Sequence, residues 1–421
     1  MASQIELADL YKAYYECRIH KRRTVNALDF ELNFENNIIK LWHDINSGTY
    51  KVNRSIAFVV SEPVKREIFA ADFRDRVVHH LVIDKINPLF EADFITDSYS
   101  CRSGKGTLFG VKKVLEKIRQ CSSFGTKDCY ILKLDIRSFF MSINKTILYR
   151  RLDSFLREKY TAPDRDLILR LIRQIIFNSP QDNCHIKGKI SDWNGLPCYK
   201  SLFWSDDNHG LPIGNLTSQV FANFYLNALD KFITQDLGIK YYGRYVDDFV
   251  IIHEDKDFLK SAHQKIARFL SDELKLQLHP QKVYLQHYSK GVRFIGAFIK
   301  HDHIIIGKRT KANLYNKIHR LLPEMAQNRQ ASLSGLPHFN SSINSYFGFM
   351  KHYQTYNLRS HILKLLHSTF LNPVIEAVAD SSKLKINKLF LPKEQKKRIL
   401  RRNKQYRRYN HNKERKKYDC L

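Results

Sequence analysis

The chain has 421 residues and 43% of them are hydrophobic, so it is long enough for two or three subdomains and too apolar to be disordered throughout. Its 70 Lys and Arg residues outnumber 42 Asp and Glu residues, which gives a formal net charge of +28. This excess predicts a polyanionic partner. Nucleic acid is favoured over an anionic membrane surface, because no basic amphipathic segment also carries a strongly apolar face.

Cysteine usage and the first residues indicate the compartment. Seven cysteines at irregular spacing favour a reducing environment over a disulfide framework. Cys184, His185 and Cys198 lie close in sequence, but without a CxxC pair they do not predict a zinc site. The first residues lack the apolar centre of a signal peptide, and no apolar run reaches the roughly 20 residues of a membrane span. We therefore expect a cytoplasmic protein with no membrane partner.

The first third of the chain predicts helices and two strands. Apolar residues at near-helical spacing predict helices before residue 50, and "SIAFVV" (Ser55–Val60) predicts a strand. The segment Glu67–Phe90 predicts a helix after an acidic and aromatic start, and its Arg74 and Arg76 either form a solvated face or contact phosphates. "YILKLDI" at 130–136 predicts an apolar strand, and "SFFMSINKTILYRRL" after it predicts a helix.

The middle of the chain alternates irregular and periodic segments. Asn178–His209 is rich in Asp, Asn, Gly, Pro and Ser and predicts a long loop or insertion. "GLPIGNLTSQVFANFYLNALDKF" then turns on glycines into a helix. An amphipathic helix through Phe258 and Ile266 follows the stretch "RYVDDFVII", and "KVYLQH" and "VRFIGAFI" predict two short strands. From Lys308 the apolar periodicity is helical again.

The last residues are strongly basic. Between Lys383 and Lys417 the stretch "KEQKKRILRRNKQYRRYNHNKERKK" interleaves basic residues with tyrosines. This pattern is typical of a nucleic-acid-binding arm or of an exposed solubilising end. For the first of these, the candidate contacts with nucleic acid are Lys396, Lys397, Arg401 and Arg402.

Two adjacent aspartates, Asp247 and Asp248, interrupt an aromatic and β-branched run. Taken alone, they are equally well explained by a hairpin turn that points its acids to solvent. However, a second apolar strand ends at Asp135. Three carboxylates brought together would raise each other's pKa unless cations were bound. Hard oxygen ligands suit Mg²⁺, and two such ions promote phosphoryl transfer to a hydroxyl group, so we expect two Mg²⁺ ions here.

Six motifs in order resemble those of reverse transcriptases. "LKLDIRSFF", "GLPIGNLTSQVFANFYLNALD", "RYVDDFVII", "LHPQK" and "RFIGAFI" resemble the palm motifs, and "DSYSCRSGKGTLFGV" resembles the fingers motif. The resemblance runs from about Phe58 to about Ile299. "LPIGNLTSQ", with Ile213 where most reverse transcriptases carry Gln, is similar to the enzymes of diversity-generating retroelements. The bacterial reverse transcriptases related to group II introns are close to that group.

The resemblance implies an α+β fold, a right-hand polymerase with fingers, an antiparallel-sheet palm and a helical thumb. It assigns residues 1–125 to N-terminal helices and fingers, and 126–300 to the palm with an insertion near 178–209. Residues 301–382 would form the thumb and 383–421 a basic tail.

The resemblance also implies residue roles. Asp135, Asp247 and Asp248 match the catalytic acids that bind the metal ions. Asp248 is the second acid of the adjacent pair, with a role closer to the primer end and to metal geometry. The residues that match nucleotide-binding positions are Arg102, Lys105, Phe140, Ile213, Gly214, Gln219 and Lys282.

Several of these nucleotide-binding roles have a specific chemistry. Phe140 would pack beside the sugar and exclude a 2′-hydroxyl, unless Phe139 and Phe140 are both core. Arg102 and Lys105 would contact the triphosphate. Lys282 would protonate pyrophosphate or position the triphosphate, or else lie in solvent.

The function implied is that of an RNA-directed DNA polymerase, a nucleotidyltransferase that copies a template RNA from deoxynucleoside triphosphates and misincorporates opposite adenines. Ile213 offers packing without a directional hydrogen bond, which favours low fidelity. Further implied features are an RNA/DNA hybrid, a small basic oligomeric accessory protein, and a bacterial or phage origin. The alternatives are an antiphage-defence or retron-type reverse transcriptase, and a non-catalytic RNA-binding or splicing-assistance protein. The three acids oppose the last, because clustered carboxylates repel RNA phosphates.

Overall fold

The computed structural model describes residues 4–19, 24–62, 64–326, 329–369, 371–372, 374–377 and 383–387. For residues 324–326 and 329–334 it describes the backbone alone. The chain divides into two units, Met1–Ile295 and Gly296–Leu421.

The first unit mixes helices with short strands, as predicted for an α+β protein. Its helices are α1 (Leu7–Arg18), α2 (Val25–Leu32), α3 (Phe34–Ser47), α4 (Phe73–Asp93), α5 (Thr107–Cys121), α6 (Phe139–Ser142), α7 (Lys145–Lys159), α8 (Arg165–Phe177), α9 (Leu216–Lys231) and α10 (Lys256–Leu274). Its strands are β1 (Ser55–Val60), β2 (Arg66–Ala70), β3 (Tyr130–Asp135), β4 (Cys184–Ile186), β5 (Tyr241–Tyr245), β6 (Asp248–His253), β7 (Tyr284–His287) and β8 (Val292–Phe294).

An antiparallel sheet of four strands, in the order β5-β6-β3-β7, carries the predicted acids. Its two central strands are apolar because they are buried: Leu132, Leu134, Phe249 and Ile251 are all at most 1% exposed. Helix α10 packs against β3 and β6, and α5 packs against β5 and β6. Burial of each such side chain contributes about 1.5–3 kcal/mol, which fixes the register of the strands that end at the acids.

A second sheet, in the order β2-β1-β4, includes the acidic and aromatic start of Glu67–Phe90. Arg66–Ala70 pairs antiparallel with β1, and the helix predicted after that start begins at Phe73. Asp72 caps that helix by accepting a hydrogen bond from Arg74 N (3.0 Å). The sequence did not predict the strand at this start, because strand pairing is a tertiary interaction that the local pattern does not show.

The segment predicted as a loop or insertion, residues 178–209, is attached to this second sheet. Its strand β4 pairs in parallel with β1. The carboxylate of Glu67, which is 1% exposed, accepts hydrogen bonds from Trp193 Nε1 (2.7 Å), Ser201 Oγ (2.6 Å) and Leu202 N (2.7 Å). A buried carboxylate with three donors is satisfied without a counter-ion. The irregular segment is therefore fixed by one side chain of β2.

The predicted helix at 138–152 is interrupted. Helix α6 ends at Ser142 and α7 begins at Lys145, with Asn144 between them. Asn144 Oδ1 accepts a hydrogen bond from Ile147 N (2.9 Å), so this residue starts a new helix. The break allows α6, with its aromatic pair, to lie directly after β3.

The second unit has a core of its own. Its elements are β9 (Ala297–Ile299), β10 (Ile304–Ile306), α11 (Lys308–Ala326), α12 (Arg329–Met350), α13 (Tyr356–His367), β11 (Ile375–Ala377) and β12 (Leu384–Ile386). The apolar stripe predicted from Lys308 onwards is buried here, including Leu314, Ile343, Phe347 and Ile362. The predicted strand "VRFIGAFI" is split at Ile295, which has a positive φ of 48°.

The domain boundaries given above stay predictions. The second unit begins at Gly296, whereas the thumb is predicted from residue 301. The proposed tail contacts at Lys396, Lys397, Arg401 and Arg402 lie outside the described residues. Across the residues described, none of the helices combines the length and apolar character needed to cross a bilayer.

Candidate active site

Three carboxylates lie at one edge of the four-stranded sheet. Asp135 is the last residue of β3, and its register partner is Asp248, the first residue of β6. Asp247 lies in the turn between β5 and β6, where its carbonyl oxygen accepts a hydrogen bond from Ile136 N (3.3 Å). The antiparallel pairing of β3 with the β5–β6 hairpin therefore brings together acids that are far apart in sequence.

Two lysines partly neutralise these acids. Lys282 Nζ lies 2.9 Å from both carboxylate oxygens of Asp135, and Lys133 Nζ lies 3.0 Å from Asp248 Oδ1. Burial and repulsion by Asp135 raise the pKa of Asp247 to about 6. Burial raises the pKa of Asp248 to about 7, although Lys133 acts against this rise. The site thus disfavours ionisation of both acids until a further cation compensates.

The residues fit a magnesium site. All the candidate ligand atoms are hard carboxylate oxygens, and Asp248 Oδ1 is buried with an ion pair to Lys133 and no hydrogen bond. Within the described part of the chain, no three Asp, Glu, His or Cys side chains form a cage for one cation. Magnesium seldom needs such a cage, because it takes one or two carboxylates and completes its shell with water and substrate phosphates.

The raised pKa values predict a pH-dependent stability for the metal-free protein. An acid whose pKa is higher in the folded than in the unfolded state destabilises the fold when it ionises. The free energy of unfolding should therefore decrease as the pH rises from about 4 to about 7. Asp247→Asn removes one such acid and should raise the free energy of unfolding by roughly 3 kcal/mol at pH 8 and by little at pH 4. Urea unfolding in EDTA at both pH values measures this, and an equal difference at the two pH values would contradict it.

Phe140 and Ile213, both predicted to contact the nucleotide, pack against one small apolar cluster. The cluster consists of Ala57, Phe69, Met141 and Leu202. Leu211 N donates a hydrogen bond to Phe140 O (2.8 Å), which ties the segment before Ile213 to α6. Phe139 is 2% exposed, whereas Phe140 is half-buried. Of the two adjacent rings, Phe139 is therefore core and Phe140 remains accessible.

Gly214 sets the backbone conformation of the loop that contains Ile213. Its φ is +122°, and a Cβ at this position would lie 2.7 Å from Ile68 Cγ2. Only glycine fits both the backbone conformation and the close approach to β2. Ile213 O accepts a hydrogen bond from Phe69 N (2.9 Å), which fixes the same loop. Gln219, one turn into α9, is exposed, and its Oε1 accepts a hydrogen bond from Cys101 Sγ (3.3 Å).

The structure places Arg102 and Lys105 in contact with protein groups. The side chain of Arg102 is 5% exposed, pairs with Glu91 (Nη2–Oε2 2.8 Å), and donates from Nη1 to the carbonyl oxygens of Ile95 (2.6 Å) and Ser98 (3.1 Å). Lys105 Nζ donates to a backbone carbonyl at 2.7 Å, and burial lowers the pKa of its amine. These contacts favour a structural role for Arg102, and its contact with a triphosphate stays a prediction.

Arg74 and Arg76 are also held by the protein. Arg74 donates to Asp44 Oδ2 (2.8 Å) and to Lys51 O (3.0 Å). Arg76 Nε donates to Ala71 O (2.8 Å), and burial lowers the pKa of its guanidinium group. Both arginines therefore fasten the start of α4, which differs from the fully solvated face considered above. Their contact with nucleic acid stays a prediction.

Sequence reasoning missed two cationic residues of this site. Lys133 stands two residues before Asp135 on β3, and alternate residues of a strand share a face, so the spacing alone places its amine near the acids. Arg244 is buried in β5 and forms an ion pair with Asp230 of α9. An arginine in an apolar strand and an aspartate in an apolar helix each require a partner, which was the available signal.

The sequence of the chain is similar to known proteins over the region that forms this site. A family model described as "Reverse transcriptase (RNA-dependent DNA polymerase)" matches residues 65–299, more than half of the chain. The protein YkfC of Escherichia coli (strain K12) is 22% identical over 295 residues, which cover 62% of this chain and 69% of YkfC. The matched region contains Asp135, Asp247, Asp248, Phe140 and Ile213.

Similar solved structures include two telomerases. The telomerase of Candida albicans in complex with a fragment of telomeric RNA is 11% identical, with a TM-score of 0.43, over 61% of this chain and 47% of that one. The apo telomerase of Candida tropicalis truncated from its C-terminal domain is 13% identical, with a TM-score of 0.44, over 61% and 55%. This chain thus spans about half the length of those proteins. The motifs of this chain, its four-stranded antiparallel sheet and the family match over residues 65–299 all indicate the same family. The chain belongs to the reverse transcriptase (RNA-dependent DNA polymerase) family.

Proposed function

We propose that this protein is an RNA-directed DNA polymerase that copies a template RNA into cDNA from deoxynucleoside triphosphates. The observation that carries the proposal is the meeting of Asp135, Asp247 and Asp248 at the edge of the sheet, in a chain of this family. The fold keeps three carboxylates together although they repel one another, and a bound cation would offset that repulsion. This arrangement favours a reaction of phosphates that depends on a cation. A protein that only bound RNA would gain nothing from them.

Asp135 and Asp247 are the residues that would hold magnesium. When bound, it supplies activation of the primer hydroxyl and neutralisation of the charge that develops on pyrophosphate. Lys282, which is paired with Asp135, would bind the triphosphate or give the leaving pyrophosphate a proton. Lys133 holds Asp248 by an ion pair, so in this proposal Asp248 mainly orients the site and contacts magnesium less directly than the other two acids.

Phe140 is the residue proposed to select deoxynucleotides. Phe140 stands five residues after Asp135, and its half-buried ring packs against the cluster that includes Leu202 of the predicted insertion. A supported ring cannot move aside for a 2′-hydroxyl, so exclusion is steric. Through Glu67 and Leu202, the insertion then helps to hold this ring in place.

The finer role proposed is that of a diversity-generating retroelement, in which the cDNA carries errors opposite template adenines and diversifies a target gene. Support comes from the motif "LPIGNLTSQ" and from the packing of Ile213 against apolar side chains. A small basic oligomeric accessory protein and a structured template RNA would be its partners, and binding of the RNA through phosphates would weaken with salt.

Ile213→Gln tests this role. A glutamine can hydrogen-bond to the nucleotide or template and should lower misincorporation opposite adenine by about tenfold, which is ~1.4 kcal/mol of discrimination. Sequencing of cDNA from a template with all four bases measures the error rates, and Ile213→Leu serves as the control that keeps the packing. Low and equal error rates of the parent opposite all four bases would exclude the mutagenic role and favour a defence or retron-type enzyme.

A further inference from the structure

One arginine is buried beside the catalytic turn, which we define as Val246 and Asp247. Arg244, on β5, is 1% exposed, and all five of its N–H groups have acceptors. The bonds are Nε to Asp230 Oδ1 (2.7 Å), Nη2 to Asp230 Oδ2 (2.5 Å) and Ser98 Oγ (3.2 Å), and Nη1 to Asn223 Oδ1 (3.3 Å) and Val246 O (2.9 Å). A buried charge with every donor satisfied is a strong positional constraint.

The catalytic turn adopts a conformation that its own residues disfavour. Tyr245 pairs with Asp248, so Val246 and Asp247 alone connect the two strands. Val246 has a φ of +57°, in the left-handed region that β-branched residues avoid. Such a residue persists only where its surroundings impose the conformation. The hydrogen bond from Arg244 to Val246 O acts on this residue directly.

We propose that Arg244 is a positioning residue for the reaction, because it holds the peptide between Val246 and Asp247 and thereby aims the Asp247 carboxylate. The carbonyl oxygen of Val246 belongs to the same planar peptide as Asp247 N, so fixing this oxygen fixes the backbone orientation at Asp247. The catalytic consequence of this proposal rests on the proposed function, whereas the effect on the turn does not.

The same arginine connects the turn to the loop at residues 97–105. Arg244 N donates to Asp97 O and Tyr99 N donates to Arg244 O, both at 2.9 Å. The approach is close, because a Cβ on Gly243 would lie 2.6 Å from Tyr99 Oη. The loop that carries Arg102 and Lys105 is therefore bonded to β5 directly before the catalytic turn.

Arg244→Lys is the test, because lysine keeps the charge but offers three donors in place of a planar fork of five. We expect kcat for primer extension to fall about 10- to 100-fold, with affinity for template and primer unchanged and a higher Mg²⁺ concentration needed for half-maximal rate. Val246→Asn favours the left-handed conformation intrinsically, so in the double variant the loss caused by Arg244→Lys should be smaller. Arg18→Lys, in the ion pair with Glu31, is the control.

Amide hydrogen exchange gives a readout that does not need activity. We expect Arg244→Lys to accelerate exchange about tenfold or more at residues 245–248 while residues 249–252 of β6 keep the parent rate. Unchanged exchange at the turn, or equal acceleration through both strands, would overturn the proposal, as would a folded variant with parental kcat. A parent that makes no DNA would refute the proposed function alone, and the exchange comparison would still decide the role of Arg244.

Discussion

Asp247→Asn is expected to abolish DNA synthesis, with a loss of about 1000-fold or more in the rate of primer extension. Asparagine keeps the size of the side chain and removes the negative charge that would hold a divalent cation next to Asp135. Because Asp247 lies in a turn supported by Arg244, the fold should survive the change. Single-turnover extension of a labelled primer on RNA, at saturating template and nucleotide, measures the loss.

Two further asparagine variants calibrate this result. Asp257→Asn makes the same chemical change at a carboxylate that is 84% exposed at the start of α10, and it should keep full activity. Asp248→Asn should lower the rate of primer extension less than Asp247→Asn, by roughly 10- to 100-fold. The reason is that Asp248 is paired with Lys133 and is proposed to act by orienting the site. A larger loss for Asp248 than for Asp247 would reverse the assignment of the two acids.

Phe140→Val is expected to raise incorporation of ribonucleotides about 100-fold relative to deoxynucleotides. The smaller side chain opens space for a 2′-hydroxyl, while the supporting cluster of Met141 and Leu202 remains. Extension with each nucleotide type in separate reactions gives the ratio of kcat/KM values. Phe177→Val, a ring 40% exposed at the end of α8, is the matched control. Unchanged discrimination in Phe140→Val would contradict the proposed contact between Phe140 and the sugar of the nucleotide.

The sequence predicts that the three acids lie together, because two independent constraints act on them: burial of the strands and the cost of a carboxylate in an apolar segment. An apolar strand that ends at an acid is informative, since burial selects the strand residues and the carboxylate is costly unless it has a chemical use. Asp135 and the pair at 247–248 satisfy this condition, and antiparallel pairing of their strands puts them at one edge. Gly214 can be predicted for a similar reason, because its positive φ and its close contact with Ile68 both require glycine.

The surroundings of the site were harder to predict because they depend on tertiary partners. Nothing local shows that Glu67 accepts three hydrogen bonds from the insertion, or that Arg102 bonds to Glu91 instead of facing solvent. In a chain with 70 Lys and Arg residues, most cations look alike in sequence. The position of Arg244 in an apolar strand is a signal that it needs a partner, but that the partner is Asp230 becomes visible only when the fold brings the two together.

Extension of a primer on a defined RNA by the purified protein, followed by sequencing of the product, tests the central claim most directly. The account predicts cDNA that requires the RNA template, Mg²⁺ and deoxynucleoside triphosphates, is absent with Asp247→Asn, and carries its errors mainly opposite adenine. Salt-sensitive RNA binding by a folded parent that extends no primer would contradict it, and would make the chain a non-catalytic RNA-binding protein.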